Sequence, residues 1–293
     1  MNTRPALRAA LLSACWALPC VLAQAALPFC NNHPPQAGGA GGSVQCAATG
    51  VYVSDNNAAP AVVSPDQSGP GQVVAHKAAV GDSPVFGASL AVAQAVASPG
   101  VLRSLSTAQS IVVMDMGGGA FAETVATSLD YGRIMGLPGA QVGDLVSLHF
   151  SFAAEGVFAY NGSASLNFSL YRDWAIPVQS VGLSLNRVNS SGLVEFDINW
   201  LRVGDHLGFQ SSLTTSALVS AVFPGDEDLG NRYAAADVMN TARLHVDVLS
   251  GNATIVSSSG YLYGINDINP PVPELPTWAL LGAGLVLLRW RRR

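Results

Sequence analysis

Ser163-Ala164-Ser165-Leu166-Asn167-Phe168-Ser169-Leu170-Tyr171 sets an apolar residue at every second position and a small polar one between. A period of two places Ala164, Leu166, Phe168 and Leu170 on one side of an extended chain. Gly192–Trp200 has the same form, with Val194, Phe196, Ile198 and Trp200 opposed to Glu195, Asp197 and Asn199. Leu145–Phe152 groups Val146, Leu148, Phe150 and Phe152, and Arg243–Val248 groups Leu244, Val246 and Val248. Each run predicts a strand with one buried face. Pro138-Gly139, Asn161-Gly162, Val203-Gly204-Asp205 and Pro224-Gly225-Asp226 are turn formers between the runs. Alanine favours helix in Gly87–Ser106. Leu90, Val92 and Val96 nevertheless keep a period of two up to Pro99-Gly100, which predicts two strands. The expected fold is an all-β antiparallel β-sandwich.

The two ends differ from this body. Arg4 and Arg8 precede an apolar stretch from Ala9 to Leu22, and Ala23-Gln24-Ala25 has the form of a signal-peptidase site. Residues 1–25 therefore read as a signal peptide. Leu12-Ser13-Ala14-Cys15 has the form of a lipoprotein box, but the apolar segment between Arg8 and Cys15 is short for one. At the other end the eleven apolar residues Trp278–Leu288 are followed by Arg289, Trp290, Arg291, Arg292 and Arg293. As a helix this run spans about 16 Å, against roughly 30 Å for a hydrocarbon core. That length suits a temporary hold in the membrane, with the arginines on the cytoplasmic side.

Just before it stand Val272, Pro273, Glu274, Leu275, Pro276 and Thr277-Trp278-Ala279-Leu280. This tail resembles the PEP-CTERM sorting signal of Gram-negative bacteria. It departs from that pattern at Leu275, where the family usually has a second proline. The resemblance covers only the last twenty-odd residues. It implies recognition at Pro273-Glu274 by an exosortase-type processing enzyme, a membrane-held intermediate, and a final place at the cell surface or in extracellular polysaccharide. The body is similar, more loosely, to other proteins of that class through Ser98–Ser104, Asn240–Leu244 and Ser257–Tyr261.

The division that follows is a signal peptide at 1–25 and a loop-rich N-terminal segment at 26–71. The β-sandwich occupies 72–264, a proline-rich linker 265–276, and a short hydrophobic sorting helix with its arginine cluster 277–293. Six of the fourteen basic residues lie in the two ends. The body is therefore about eleven charges negative, against −5 for the whole chain. Nucleic acid is not an expected partner for such a surface. After signal removal Cys30 and Cys46 are the remaining cysteines, and export places them where a disulfide forms. They flank Pro34-Pro35 and the glycines of 38–42, and closing such a loop contributes roughly 3 kcal/mol.

Chemistry-bearing motifs are sparse. The nearest approach to a nucleophile elbow, Gly87-Ala88-Ser89-Leu90-Ala91, lacks the second glycine. His149 and His245 fall on polar strand faces, the latter with Arg243 and Asp247, and a solvated face accounts for both. Glu195 and Asp197 share a face, but glycosidase carboxylates usually come from different strands. Asp226, Glu227 and Asp228 offer hard oxygen donors for Ca²⁺ on a turn, without EF-hand spacing. No other cofactor is expected. The expected function is that of a non-enzymatic surface or matrix protein. A carbohydrate-binding module is the alternative, favoured by exposed Trp or Tyr lined up on one sheet face. A hydrolase with a loop-borne site comes third, favoured by two carboxylates, or a Ser and a His, meeting in a pocket.

Overall fold

A computed structural model describes residues 43–53, 67–69, 71–83, 87–111, 118–172, 176–220, 232–261 and 263. The described chain is all-β and antiparallel. Its strands are β1 (Val44–Val53), β2 (Gln67–Gly69), β3 (Val73–Ser83), β4 (Gly87–Ser98), β5 (Val101–Ser110), β6 (Ala120–Gly136) and β7 (Leu145–Glu155). They continue as β8 (Val157–Ala159), β9 (Gly162–Arg172), β10 (Ile176–Asn186), β11 (Ser191–Arg202), β12 (His206–Val219), β13 (Arg232–Ser250) and β14 (Ala253–Ser257). Sheet A runs β10-β9-β12-β6-β1-β2, with β14 continuing the line of β1 along β6. Sheet B runs β11-β7-β13-β5-β4-β3, with β8 beside β13. The sheets pack face to face in matching order: β10 over β11, β12 over β13 and β5, β6 over β5 and β4, and β1 over β4 and β3. This is the sandwich expected from the alternating runs.

One half of the interior is aromatic and branched. Phe150 and Phe168 lie with ring centroids 6.0 Å apart, and Phe150 stacks on Phe196 at 5.0 Å. Leu102, Leu148, Leu166, Leu170 and Leu213 fill the space around them, all buried. The other half is built from small residues, with Ala79, Ala91, Ala93, Ala108, Ala122, Ala217 and Ala234 around Val51 and Val53. Between the halves runs a seam of hydroxyls shut off from solvent. Thr215 Oγ1 lies 2.7 Å from Ser104 Oγ, 2.8 Å from Ser106 Oγ and 2.8 Å from Thr124 Oγ1, and Ser104 also bonds Thr124. The four residues come from both sheets, so mutual bonding satisfies groups that burial would otherwise penalise.

Four elements depart from the sequence reading. The segment 26–71, read as loop-rich, contains β1 and β2, and β1 pairs along ten residues with the central strand β6. Its residues are small on both faces, so no alternation shows. β6 itself, in the described part of the body, is buried on both faces over most of its length and has no period of two. In β4 the inward residues are Ala91, Ala93, Ala95 and Ala97, while Leu90 points outward and is 36% exposed. In β11 a register shift between Ile198 and Leu201 exchanges the faces. Leu201 is buried and Trp200 is turned out, 44% exposed, beneath the Arg172 guanidinium at 5.4 Å.

The predicted turns hold where they are described. Ala140 N donates to Leu137 O at 3.0 Å around Pro138-Gly139, with Gly139 at φ +99°. Asp205 N donates to Arg202 O at 3.0 Å around Val203-Gly204, with Gly204 at φ +101°. Proline or an ordinary residue followed by glycine at positive φ is the type II arrangement.

Candidate functional site

Three polar constellations stand out. The first lies on the outer face of sheet B. Strand pairing sets Asp197 of β11 and Asp247 of β13 directly opposite His149 of β7. The next row is Glu195, Ser151 and His245. Two histidines and three carboxylates thus share three adjacent strands. His149 Nδ1 is 2.7 Å from Asp197 Oδ1 and its Nε2 is 3.7 Å from Glu195 Oε1. His245 Nε2 is 2.9 Å from Asp247 Oδ1. The hydrogen bond to Asp197 holds the His149 imidazolium above the ordinary histidine range. Burial opposes it, and the charges of Asp197, Glu195 and Asp247 add to it. The carboxylates of Glu195 and Asp197 are half exposed on a flat sheet, so this is a self-paired surface patch rather than a cleft.

The second is the outer face of sheet A over β10, β9 and β12. Ser163, Ser165, Asn167 and Ser169 face Asn186, Ser184, Gly182 and Ser180 on one side. On the other side they face Ser216, Thr214, Ser212 and Gln210. The outcome is an uncharged grid of hydroxyls and amides, about 4.8 Å from strand to strand and roughly 6.8 Å along each strand. Ser163 bonds Ser216 at 3.0 Å and Ser169 bonds Ser180 at 2.9 Å. Ser163, Asn167, Ser180 and Ser184 are exposed.

The third is internal. Asp130 on β6 is fully buried. Its Oδ2 accepts from Ser257 Oγ (2.6 Å), Ser259 Oγ (2.6 Å) and the Tyr263 hydroxyl (2.8 Å). Its Oδ1 accepts from Tyr131 N (2.8 Å), Ser258 Oγ (3.1 Å) and Ser259 N (3.3 Å). Burial and the adjacent carboxylate push the Tyr263 hydroxyl well above the usual tyrosine range. Val246 N donates to Tyr263 O at 3.1 Å, so the chain after β14 is tied to both sheets. Asp130 escaped the sequence reading because all its partners but the adjacent Tyr131 N lie 127 to 133 residues away along the chain.

The residues picked out by sequence fall unevenly on this map. Glu195, Asp197 and His149 come together, and His245 and Asp247 join the same face. Cys46 sits on β1 and is buried; Cys30 lies outside the described residues. So do Asp226, Glu227 and Asp228, Trp174, residues 1–25, and the tail residues Pro273, Glu274, Leu275, Pro276, Trp278, Arg289, Arg291, Arg292 and Arg293. Among the described residues no three of His, Cys, Asp and Glu are placed to hold a metal ion. The exposed described aromatics Trp200, Tyr160 and Tyr233 sit on three separate elements, β11, the β8–β9 turn and β13.

Glu123 on β6 gives a pH prediction. Burial raises its carboxyl from the ordinary 4.5 to about 7. A value raised on folding supports the fold fully below 4.5, and that support is lost as pH rises through about 7. The raised His149 acts in the same direction above its ordinary 6.5. The melting temperature should therefore fall between pH 5 and 8, and Glu123→Gln should flatten the fall. Equal slopes for the two proteins would remove Glu123 as the cause.

No family model matches the chain, and no curated protein matches it. Among solved structures, the chain is similar to the enzymatically active domain of tailspike protein 4 of bacteriophage CBA120. The two are 10% identical, over 61% of this chain and 19% of that one, with a TM-score of 0.17. A likeness at that level carries no argument about fold or activity.

Proposed function

We propose that the chain is an exported, non-enzymatic β-sandwich of the cell surface or extracellular polysaccharide matrix, delivered through its PEP-type tail. The observation that carries this reading is the pairing of the two ends: a secretory signal at 1–25, and Pro273-Glu274 with a short apolar run and four arginines at 272–293. The body agrees with it. Among the described residues its carboxylate and histidine clusters are spent on one another or on the interior, as with Asp130 and its six donors. The partner at the tail is an exosortase-type enzyme, and membrane contact lasts only until processing. Glu274→Ala should leave the chain inserted and unprocessed, and deleting Arg291–Arg293 should weaken retention before processing. Intact mass of surface material decides. A final protein that still carries Trp278–Arg293 would replace the sorting signal with a plain membrane anchor.

The carbohydrate-binding alternative is favoured by one feature, the uncharged hydroxyl grid on sheet A. Such a face can exchange hydrogen bonds with a neutral polyhydroxyl chain and repels no anionic one strongly. It lacks the row of flat rings on which sugars stack, so weak binding is expected. In affinity electrophoresis, neutral polysaccharide in the gel should retard the mature protein. Ser165→Lys with Ser184→Lys should abolish the retardation. Equal mobility with and without polysaccharide would leave the grid without this role.

A further inference from the structure

Three connections of the sandwich meet at one end. They are the segment 137–144 between β6 and β7, the turn 203–205 between β11 and β12, and the turn 251–252 between β13 and β14. Hydrogen bonds tie them to one another. Leu137 N donates to Asn252 O at 2.8 Å, and Asn252 Nδ2 donates to Pro138 O at 2.7 Å. Gly143 N donates to Val203 O and Val203 N to Asp144 O, both at 2.9 Å. The Arg202 guanidinium donates to Gly143 O at 2.7 Å. Among the described residues this fixed end still exposes Met135, Leu137, Val142, Leu145, Leu249 and Trp200, from 42% at Met135 to 83% at Val142. Single exposed apolar side chains are ordinary, but a group of them on one rigid platform marks a contact surface.

Charge singles out the same end. The body is about eleven charges negative, yet three of the eight Lys and Arg in residues 26–288 lie here: Arg133, Arg172 and Arg202. The two described carboxylates beside them are bonded within the end. Asp144 Oδ2 accepts from Gln141 N at 2.7 Å, and Asp205 accepts from Arg202 N at 2.8 Å and Arg172 Nη2 at 3.0 Å. The Arg172 guanidinium lies 5.4 Å over the Trp200 ring. Arginine and tryptophan each join an apolar body to a polar head, which suits the boundary between water and lipid. The apolar side chains stand on separate turns and strand ends. They offer points that enter a soft medium, not a hollow that receives a partner protein. At the opposite end Val157, Tyr160 and Val188 are exposed beside one arginine, Arg187, and Glu155. We propose that the end built by 137–144, 203–205 and 251–252 is a lipid-contacting surface, in which Leu137, Val142 and Leu145 enter the interfacial layer of an anionic bilayer while Arg133 and Arg202 meet its headgroups. Binding of this kind combines buried apolar area with attraction to anionic lipid. The contact belongs to the folded body and does not depend on the sorting tail.

The test is hydrogen exchange of the full-length protein, read by mass spectrometry, with and without vesicles of phosphatidylglycerol and phosphatidylcholine. The readout is local, so attachment through the apolar ends of the chain does not imitate it. Amides of 137–145, 201–205 and 249–252 should exchange several-fold more slowly on the vesicles, while those of 187–191 at the opposite end stay unchanged. Vesicles of phosphatidylcholine alone should slow them less, and equal slowing there would overturn the part given to the arginines. Val142→Asp with Leu249→Asp should abolish the slowing and leave the exchange of β6 and β12 as in the parent. Val142→Ser takes its place should those strands exchange faster. No slowing at 137–145, equal slowing at both ends, or undiminished slowing in the variant would overturn the lipid surface. So would slowing that grows with protein concentration in the absence of vesicles, which would make a second copy the occupant.

Discussion

Gly162→Ala should prevent the domain from reaching this fold. Gly162 opens β9 after the Asn161 turn and passes against β13 of the opposite sheet. A Cβ placed on it would stand 1.6 Å from the carbonyl oxygen of Ala235 and 2.4 Å from its carbonyl carbon. Both are backbone atoms inside a paired strand, so neither can swing aside. The sheets must separate there, and overpacking of this kind exceeds the usual 1–3 kcal/mol. Against a stability of about 5–15 kcal/mol, the expected result is loss of the cooperative transition, or a fall of more than about 4 kcal/mol. Gly182→Ala is the control. Its added methyl meets first the Asn167 side-chain oxygen at 2.9 Å, the free end of a side chain on the open hydroxyl face. That variant should melt within a few degrees of the parent. If the two variants melt together, the contact between β9 and β13 is not as close as described.

Asp130→Ala should cost about 3–5 kcal/mol, the next largest effect. The substitution removes the acceptor for three serine hydroxyls, one tyrosine hydroxyl and two backbone amides. Several of these donors stay buried without a partner, and each such group costs about 1–3 kcal/mol. Asp130→Asn keeps one acceptor oxygen but turns an amide NH₂ toward donors, so it should fall between Ala and the parent. Tyr263→Phe removes a single donor and leaves the carboxylate well served, so about 1 kcal/mol is expected. Urea unfolding of the four proteins orders them. An Asp130→Ala midpoint equal to that of Tyr263→Phe would mean that the serine loop does not depend on the carboxylate.

The strands readable in the sequence are those with one wet face. β7 and β9 alternate because sheet A is open over β9 and sheet B is open over β7. β6 is covered on both sides, so Phe121, Val125, Leu129 and Tyr131 appear among equally buried neighbours and no period survives. β1 is hidden for a different reason: Cys46, Ala47, Ala48 and Thr49 are small on both faces, and small residues carry little periodic signal. The bulge that turns Trp200 outward adds residues without changing composition, which a fixed period of two cannot register. The polar clusters follow the same division. Membership of a face could be read for His149, Glu195, Asp197, His245 and Asp247. Which strands lie side by side could not, and that alone brings His149 against Asp197, 48 residues later.

The position of β6 has a consequence for how quickly the molecule can assemble. Its partners are β1 near the start of the chain, β12 at His206–Val219, and β14 at Ala253–Ser257. The middle of sheet A therefore cannot be completed until most of the chain has been made. It waits until the segment through Tyr263 has emerged, with residues 264–293 to follow. Pairings so distant in sequence close large loops before any contact rewards them, and such topologies fold in milliseconds to seconds rather than microseconds. Slow closure leaves an interval in which the chain stays open, and the last strands to arrive set when that interval ends.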